Sequence, residues 1–274
     1  MANSPDFKNY LEPVERIARA AGQAILRIYQ SNFTVTDKAD GSPLTAADEA
    51  AHELILHELS WLTPEIPVLS EESASVEHTQ RAGWKYFWLV DPLDGTKEFV
   101  SRNGEFTVNI ALIERDTPVL GVVHVPARDV TYSACRGVGA YKRSDEAERA
   151  PIRVAARDPK RTIRVVASRS HTKRADAEFL ARIGNHDVVS VGSSLKFCLV
   201  AEGAADVYPR LGPTMEWDTA AAQAVVEVAG GRVVGPDNRP LRYNKPSLRN
   251  SWFIASGAGE EDWTRFLPEP DGDE

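Results

Sequence analysis

Apolar residues near the start of the chain recur at three- and four-residue spacings, which is the pattern of an amphipathic helix. They cover residues 10–28 and predict a first helix there. A second helical pattern covers 47–62 and stops before Pro64. Thr45 and Asp48 at its start resemble a capping box, in which side chains satisfy the free N–H groups of a helix start. The chain is therefore expected to open with two helices.

Beyond these helices the pattern changes to that of strands. Short β-rich runs, separated by Gly, Pro and charged residues, cover 86–90, 107–113, 119–125 and 131–135. They favour an antiparallel sheet packed on the two helices. The polar stretch 143–151 breaks the apolar periodicity and is the best candidate for a domain boundary or a long surface loop.

The second half of the chain alternates between the two patterns. Strand-like segments are predicted at 163–167, 188–191 and 206–208, and helix-like segments at 174–183, 194–201 and 219–229. Gly230 and Gly231 close the last helix at the position where a helix end favours glycine. This alternation is typical of an α/β unit.

Composition and charge exclude several classes of protein. The chain has 32 Lys and Arg against 40 Asp and Glu, a net charge of −8 and a pI near 5.4, which argues against nucleic-acid polymers as partners. Cys135 and Cys198 lie in apolar surroundings and are expected to be buried free thiols. We see no secretory signal and no apolar run of about 20 residues, the length that a membrane span needs. We therefore expect a cytoplasmic protein without an integral membrane segment.

The richest chemistry follows the apolar strand at 86–90. If Pro92 sets a tight turn, the carboxylates of Asp91 and Asp94 can face one point, and the carbonyl of Leu93 can add a third oxygen. Such oxygens are the ligands that Mg²⁺ prefers. Taken alone, the segment favours a polar turn closed by Asp side-chain hydrogen bonds.

Other polar groups stand at similar places. Gly95 and Thr96 begin a helical turn whose N–H groups suit a phosphate. Glu71 follows a strand-like run, and Asp218 begins the helix that ends at 229. On their own, Glu71 and its neighbour Glu72 are typical of an exposed loop, and Asp218 of a helix N-cap.

In combination, Glu71, Asp91, Asp94 and Asp218 complete a signature that resembles the inositol monophosphatase superfamily of Mg²⁺-dependent, Li⁺-sensitive phosphatases. The matching words, in order, are SPLTAAD, VLSEES, WLVDPLDGTKEFVSRNGEFTVNIAL, SRSH, GSSLKFCLVAEG, YPR and GPTMEWDTAAA. Together they span about residues 10–255. The words DGTKEF, RNGEFTVNIAL and GSSLKFCLVAEG resemble the 3'(2'),5'-bisphosphate nucleotidase branch, whereas inositol monophosphatases more typically carry DGTTNF.

The resemblance implies a layered αβαβα sugar-phosphatase fold, with an α+β half up to about residue 150 and a smaller α/β half over 151–274. It implies two or three Mg²⁺ ions and inhibition by Li⁺. One ion would be held by Glu71, Asp91 and the carbonyl of Leu93, and a second by Asp91, Asp94 and Asp218. Thr96, backed by Asp48 and assisted by Glu71, would orient and deprotonate the attacking water; Asp48 can alternatively serve as the capping partner of Thr45.

The resemblance also implies a set of substrate contacts, which are Glu71, Leu93, Asp94, Gly95, Thr96, His171, Ser194, Lys196, Arg210 and Asp218. Three of them have simpler explanations. His171 can cap the following helix, Lys196 can be a solvated helix residue, and Arg210 can belong to a surface ion pair. The remaining histidines show no spacing typical of a metal site.

The activity implied is hydrolysis of adenosine 3',5'-bisphosphate to AMP and phosphate by a monomer or homodimer. Related enzymes also take 3'-phosphoadenylyl sulfate, which would place the chain in sulfur assimilation. Peripheral association with the cytoplasmic side of the inner membrane stays open. One alternative is a phosphatase for inositol phosphates or fructose 1,6-bisphosphate. Another is a catalytically silent nucleotide or cation sensor. The presence of Asp48, Thr96 and every acidic metal position argues against it, because a sensor would be free to lose at least one of them.

Overall fold

The computed structural model describes residues 6–30, 35–37, 43–73, 76–145, 147–168, 174–259 and 261–269. Its helices are α1 (Lys8–Tyr29), α2 (Ala46–Leu62), α3 (His78–Arg81), α4 (Thr96–Val100), α5 (Arg174–Ile183), α6 (Leu195–Ala201) and α7 (Ala220–Val228). The first nine strands are β1 (Val35–Asp37), β2 (Pro43–Thr45), β3 (Val68–Ser70), β4 (Tyr86–Asp94), β5 (Thr107–Glu114), β6 (Thr117–Val125), β7 (Val130–Cys135), β8 (Gly139–Ser144) and β9 (Ala150–Pro151). The others are β10 (Ile163–Ser168), β11 (His186–Val191), β12 (Val207–Arg210), β13 (Thr214–Met215), β14 (Arg232–Val234), β15 (Arg249–Asn250) and β16 (Phe253–Ser256).

The larger sheet has seven strands in the order β3-β4-β5-β6-β7-β8-β9. Strand β3 runs parallel to β4, and the other neighbours are antiparallel. The predicted strands at 86–90, 107–113, 119–125 and 131–135 are confirmed. The expectation of a loop over 143–151 is partly wrong, because β8 and β9 continue the sheet there with Tyr141 opposite Pro151. Their residues are mostly exposed or half-buried, so this sheet edge carries no apolar periodicity.

The smaller sheet has five strands in the order β11-β10-β12-β16-β14. Strand β10 runs parallel to β11 and β12, as the alternating pattern predicted, whereas β16 is antiparallel to both of its neighbours. Strands β14 and β16 were not predicted from the sequence. They are three and four residues long, too short to show a period.

Both sheets are covered on both faces by alternating apolar side chains. In β4, Trp88 and Val90 pack with α1 and α2, while Phe87 and Leu89 face α6 and α7. Helices α6 and α7 also pack on one face of the smaller sheet, and Phe179 of α5 packs on its other face. The layers therefore follow the order helix, sheet, helix, sheet, helix, which confirms the predicted αβαβα fold.

The central helix α7 lies unusually close to the larger sheet. A Cβ atom built on Gly121 of β6 would come within 2.1 Å of the carbonyl oxygen of Ala221, so only glycine fits at this crossing. This close approach fixes the start of α7, and with it Asp218, against the sheet that carries Asp91 and Asp94.

The expectation of buried free thiols is confirmed. Cys135 and Cys198 are both buried and free. Within the described ranges, no helix combines the length and the apolar character that crossing a membrane requires.

Candidate active site

The segment after the apolar strand does not form the expected tight turn. Strand β4 continues to Asp94, with Asp91 opposite Asn109, Asp94 opposite Thr107 and a register shift between the two pairs. The irregularity is held by a hydrogen bond of 3.0 Å from the Leu93 N–H to Asp91 Oδ1. Pro92 is tolerated because the shifted register does not require a ladder N–H at that point. Two acidic residues thus stand at the carboxyl end of a rigid, buried strand.

Gly95 connects this strand to α4. Its φ of +90° lies in the left-handed region, where residues with a side chain are strained. The sharp change of direction starts α4 at Thr96, as the sequence predicted, and leaves Thr96 on the wall of the same cleft as Asp94.

Glu71 reaches the site along a neighbouring strand. Because β3 and β4 are parallel and Ser70 lies opposite Val90, the chain leaves both strands at the same edge, with Glu71 beside Asp91. Asp218 arrives from the loop before α7. Its Oδ2 accepts a hydrogen bond of 2.8 Å from Met215 N–H, and α7 has Thr219 as its N-cap without a side-chain bond. The simpler interpretation of Asp218 as a helix cap is therefore wrong.

The acidic residues line one open cleft with a volume of about 290 Å³. Burial raises the pKa of Asp91 well above its ordinary value, and the nearby carboxylates of Glu71 and Asp94 raise it further. Burial and Asp94 likewise raise the pKa of Asp218, against the lowering effects of the Met215 N–H and Arg210. The protein thus crowds carboxylates where they repel one another, which is costly unless a cation neutralises them.

The donor set of the cleft fits Mg²⁺ in type and charge. It offers carboxylate, hydroxyl and backbone carbonyl oxygens and no His or Cys side chain. Among the described residues, no group of three His, Cys, Asp or Glu side chains closes around a single point. Mg²⁺ does not need such a cage, because it typically takes one or two carboxylates and completes its octahedron with waters and phosphate oxygens. Zinc or iron would favour histidine or thiolate ligands instead.

Ser194 joins the acidic positions to one another. Asp94 Oδ2 accepts hydrogen bonds from its N–H and its hydroxyl, at 2.6 and 2.9 Å, and the same hydroxyl lies 2.8 Å from the Asp218 carbonyl oxygen. Asn109 donates to that hydroxyl at 3.0 Å. A substrate group that accepts a hydrogen bond from Ser194 would have to displace Asp94 or Asp218, because the hydroxyl has a single proton.

The preceding residue, Ser193, was missed from the sequence. It has a φ of +44°, lines the cleft, and its buried hydroxyl has no hydrogen-bond partner in the structure. A strained residue that holds an unsatisfied polar atom at a cleft wall is typical of a ligand contact. The word GSSLK contains both serines, and nothing in it distinguishes the bonded one from the unbonded one.

Two cations face the acidic wall. Lys196 is only 6% exposed, with its Nζ 5.6 Å from the centre of the Tyr208 ring, and burial lowers its pKa to about 8. Arg210 is half-buried, donates to the Pro213 carbonyl at 3.0 Å and pairs with no carboxylate of the described residues. Neither the solvated-lysine nor the surface-ion-pair interpretation therefore holds.

Asp48 does not line the cleft. Asp48 is buried on α2, 1% exposed, and is near enough to Asp91 to raise its pKa. His171 lies outside the described residues.

Comparison with known proteins places this geometry in context. A model of the inositol monophosphatase family matches residues 6–261. The 3'(2'),5'-bisphosphate nucleotidase CysQ of Escherichia coli is 49% identical over 251 residues, which cover 90% of this chain and 99% of that protein. Its counterpart in Salmonella typhimurium is 50% identical over 248 residues, 89% and 98% of the two chains. The crystal structure of CysQ from Bacteroides thetaiotaomicron superposes with a TM-score of 0.81 at 43% identity, covering 94% of this chain and all of the other.

Proposed function

Because the chain belongs to the inositol monophosphatase family, we propose that it hydrolyses adenosine 3',5'-bisphosphate to AMP and phosphate. The observation that carries the proposal is a single cleft that is lined both by carboxylates and by the buried Lys196. Such a cleft suits a substrate with two phosphates, one at the acidic positions and one at the cations. The close similarity to bisphosphate nucleotidases supports the nucleotide over other phosphate esters.

The family is Mg²⁺-dependent, and we assign the metal positions accordingly. Glu71, Asp91 and the Leu93 carbonyl would hold one ion, and Asp91, Asp94 and Asp218 a second, with a third as an option and Li⁺ as an inhibitor. When bound, the metal supplies charge neutralisation for the phosphoryl oxygens and lowers the pKa of a water. The raised pKa of Asp91 in the metal-free protein supports this assignment, since a cation would relieve the repulsion that causes it.

Within this proposal, Thr96 and Asp48 orient the attacking water. The Thr96 hydroxyl accepts a proton from the water and passes it toward a carboxylate, with Asp48 or Glu71 as the acceptor. The water oxygen forms a bond to phosphorus while the bond from phosphorus to the 3' oxygen breaks. The leaving oxygen takes a proton from solvent water, and the carboxylate later releases its own proton to solvent, so that protons balance over the cycle. The placement of Thr96 at the cleft wall and of Asp48 near Asp91 supports these roles.

The second half of the chain would bind the nucleotide. We propose that Lys196 and Arg210 contact the second phosphate or the ribose, together with His171 and Ser194, and that Ser193 adds a hydrogen bond from its unpaired hydroxyl. Lys196 is positioned for this because burial between the cleft and Tyr208 leaves its ammonium few competing partners. A division of the chain near residue 150 would then separate most metal ligands from most nucleotide contacts.

The test is phosphate release by the purified protein with Mg²⁺, comparing adenosine 3',5'-bisphosphate, inositol 1-phosphate and fructose 1,6-bisphosphate, each with and without Li⁺. We expect the highest kcat/KM for the nucleotide and a loss of activity with Li⁺. Preference for inositol or sugar phosphate would keep the metal chemistry and overturn the nucleotide assignment. If none of the three is hydrolysed, the chain is a sensor rather than an enzyme.

A further inference from the structure

The peptide group between Val191 and Gly192, at the end of β11, is hydrogen-bonded on both sides. Its N–H donates to Glu105 Oε2 at 2.8 Å, and its carbonyl oxygen accepts a bond of 3.4 Å from Lys196 Nζ. Both bonds are buried. The N–H and the C=O of a trans peptide point in opposite directions from one rigid plane, so fixing one of them fixes the other. The Glu105 carboxylate therefore sets the direction of the carbonyl that holds the Lys196 ammonium.

Glu105 is itself held firmly just before β5. Its side chain is 7% exposed, and its N–H donates to Asn103 Oδ1 at 2.9 Å. Arg128, which is exposed, donates to the second carboxylate oxygen at 3.2 Å. The carboxylate is thus oriented from both sides, with one oxygen toward Arg128 and the other toward Gly192.

The loop of residues 192–194, between β11 and α6, lies directly on the segment that carries Glu105. A Cβ atom built on Gly192 would come within 2.9 Å of the Glu105 carbonyl oxygen and 2.5 Å of Glu98 Cγ, so the approach requires glycine. At its other end the loop is held by the bond from Ser194 N–H to Asp94. Two carboxylates of the first half of the chain thus hold the two ends of one loop of the second half.

The two carboxylates differ in their position relative to the acidic cleft. Asp94 lines the cleft and is a proposed metal ligand, whereas Glu105 does not line it. Lys196 lines the cleft as well. Burial lowers the pKa of Lys196, and Asp94 and Glu105 are among the carboxylates that partly offset this effect. Glu105 therefore reaches the cleft through Lys196 rather than by direct contact.

We infer that Glu105 is a positioning residue for Lys196 and that it thereby favours nucleotides with a second phosphate. The inference rests on the proposed function and assigns the Lys196 ammonium to the phosphate that is not hydrolysed. Without the Glu105 carboxylate, the peptide before Gly192 is free to turn, and its carbonyl no longer directs the ammonium. A nucleotide with a single phosphate, at the 3' position, makes no use of that ammonium and should not be affected.

The experiment measures kcat/KM with Mg²⁺ for adenosine 3',5'-bisphosphate and for adenosine 3'-phosphate, and takes the ratio of the two. Glu105→Leu removes the acceptor at similar volume. The ratio should then fall about tenfold or more, because a displacement on the order of 1 Å in a positioning group is enough for such a loss. Glu105→Gln should keep the ratio of the unmodified protein, since its amide oxygen can accept the Gly192 N–H. Glu58→Leu is the matched control, at an exposed carboxylate that does not line the cleft, and should also keep the ratio.

A double-variant cycle tests whether Glu105 acts through Lys196. Lys196→Met alone should lower the ratio at least as far as Glu105→Leu, and the two changes together should lower it no further. A residue that merely supports the fold would lower kcat/KM for both nucleotides alike and leave the ratio unchanged. Gly192→Ala disturbs the same contact from the loop and should also lower the ratio, so it replaces Glu105→Leu if that variant does not fold.

An unchanged ratio in Glu105→Leu and Gly192→Ala, or a further fall when Glu105→Leu is added to Lys196→Met, would overturn the inference. Failure of the proposed function looks different, because the unmodified protein would then not hydrolyse adenosine 3',5'-bisphosphate at all. In that case calorimetry of the two nucleotides gives the corresponding ratio of dissociation constants. Equal affinity for both nucleotides, no binding of the bisphosphate, or the same ratio in Glu105→Leu would then overturn the inference as well.

Discussion

Asp94 and Ser194, a hundred residues apart, are joined by two hydrogen bonds to a single carboxylate oxygen, at 2.6 and 2.9 Å. These bonds restrict rotation of the Asp94 carboxylate, so its other oxygen keeps a fixed direction. Through the hydroxyl of Ser194, the same contact reaches the backbone of Asp218. One serine thus holds two proposed metal ligands from different parts of the chain in a fixed relation.

This relation predicts the effect of Ser194→Ala. The variant keeps the backbone bond to Asp94 but loses the hydroxyl and leaves the Asn109 amide without its acceptor. Mg²⁺ affinity measured by calorimetry should fall about tenfold or more, as is typical when a residue that orients a metal ligand is removed. Ser193→Ala is the control and should keep the Mg²⁺ affinity. A change in nucleotide KM alone, at saturating Mg²⁺, would show that Ser194 contacts the substrate instead.

Asp94→Asn should separate folding from metal binding. The substitution removes one charge from a group of mutually repelling carboxylates, so the metal-free variant should melt at a temperature no lower than that of the unmodified protein. Mg²⁺ should raise the Tm of the variant by less than that of the unmodified protein, because the position at Glu71, Asp91 and the Leu93 carbonyl stays intact, and Mg²⁺-dependent turnover should be lost. Normal turnover in Asp94→Asn would contradict the two-metal assignment.

A buried ion pair supports the loop that carries Asp218. Glu216 is fully buried and accepts a 2.6 Å hydrogen bond from Lys245 Nζ, which also donates to the Arg242 carbonyl and to Asn250. Lys245→Met should lower the free energy of unfolding by about 3 kcal/mol, because it leaves a buried carboxylate without its cation. Urea denaturation measures the loss.

The matched controls for this pair are Lys160→Met and the double variant Glu216→Gln/Lys245→Met. Lys160 is exposed and should tolerate the change. The double variant should recover part of the stability, because it buries no unpaired charge. A double variant as unstable as the sum of its single changes would show that the two residues act independently.

The buried side chain of His124 should make the free energy of unfolding depend on pH. It is buried against Thr131, and burial lowers its pKa from the ordinary 6.5 to about 4. Between these values the unfolded chain binds a proton that the folded protein does not, so stability falls as the pH drops from 6.5 toward 4. The full effect is about 3 kcal/mol.

Urea unfolding at several pH values between 4 and 7 measures this slope. His124→Gln should flatten it relative to the unmodified protein, whereas His57→Gln, at an exposed position, should leave it unchanged. The comparison isolates His124 from the carboxylates that titrate in the same range. Parallel curves for all three proteins would show that the pKa of His124 in the folded protein does not differ from that in the unfolded chain.

Helices and strands with a strong apolar periodicity were predictable from the sequence, and those with a weak periodicity were not. Helix α5 was predicted with its bounds correct, and β5 to β7 within two residues, because each buries a regular apolar face. The sequence did not predict β8, the edge strand β9 or the short strands β14 and β16, because exposure or brevity removes the apolar pattern. The supposed turn after Asp91 was wrong because backbone pairing to Asn109 and Thr107 keeps that segment extended.

The sequence by itself determined which acidic groups exist, which elements carry them and which family they resemble, because apolar periodicity and short motifs are local properties. Only the tertiary structure decided that Ser194 is bonded while Ser193 is not, that Lys196 is buried, and that Glu105 and Lys196 bond to opposite sides of one peptide group. These facts depend on contacts between residues far apart in the chain. Such contacts form only when both sheets and the helices between them pack together, and no local pattern records them.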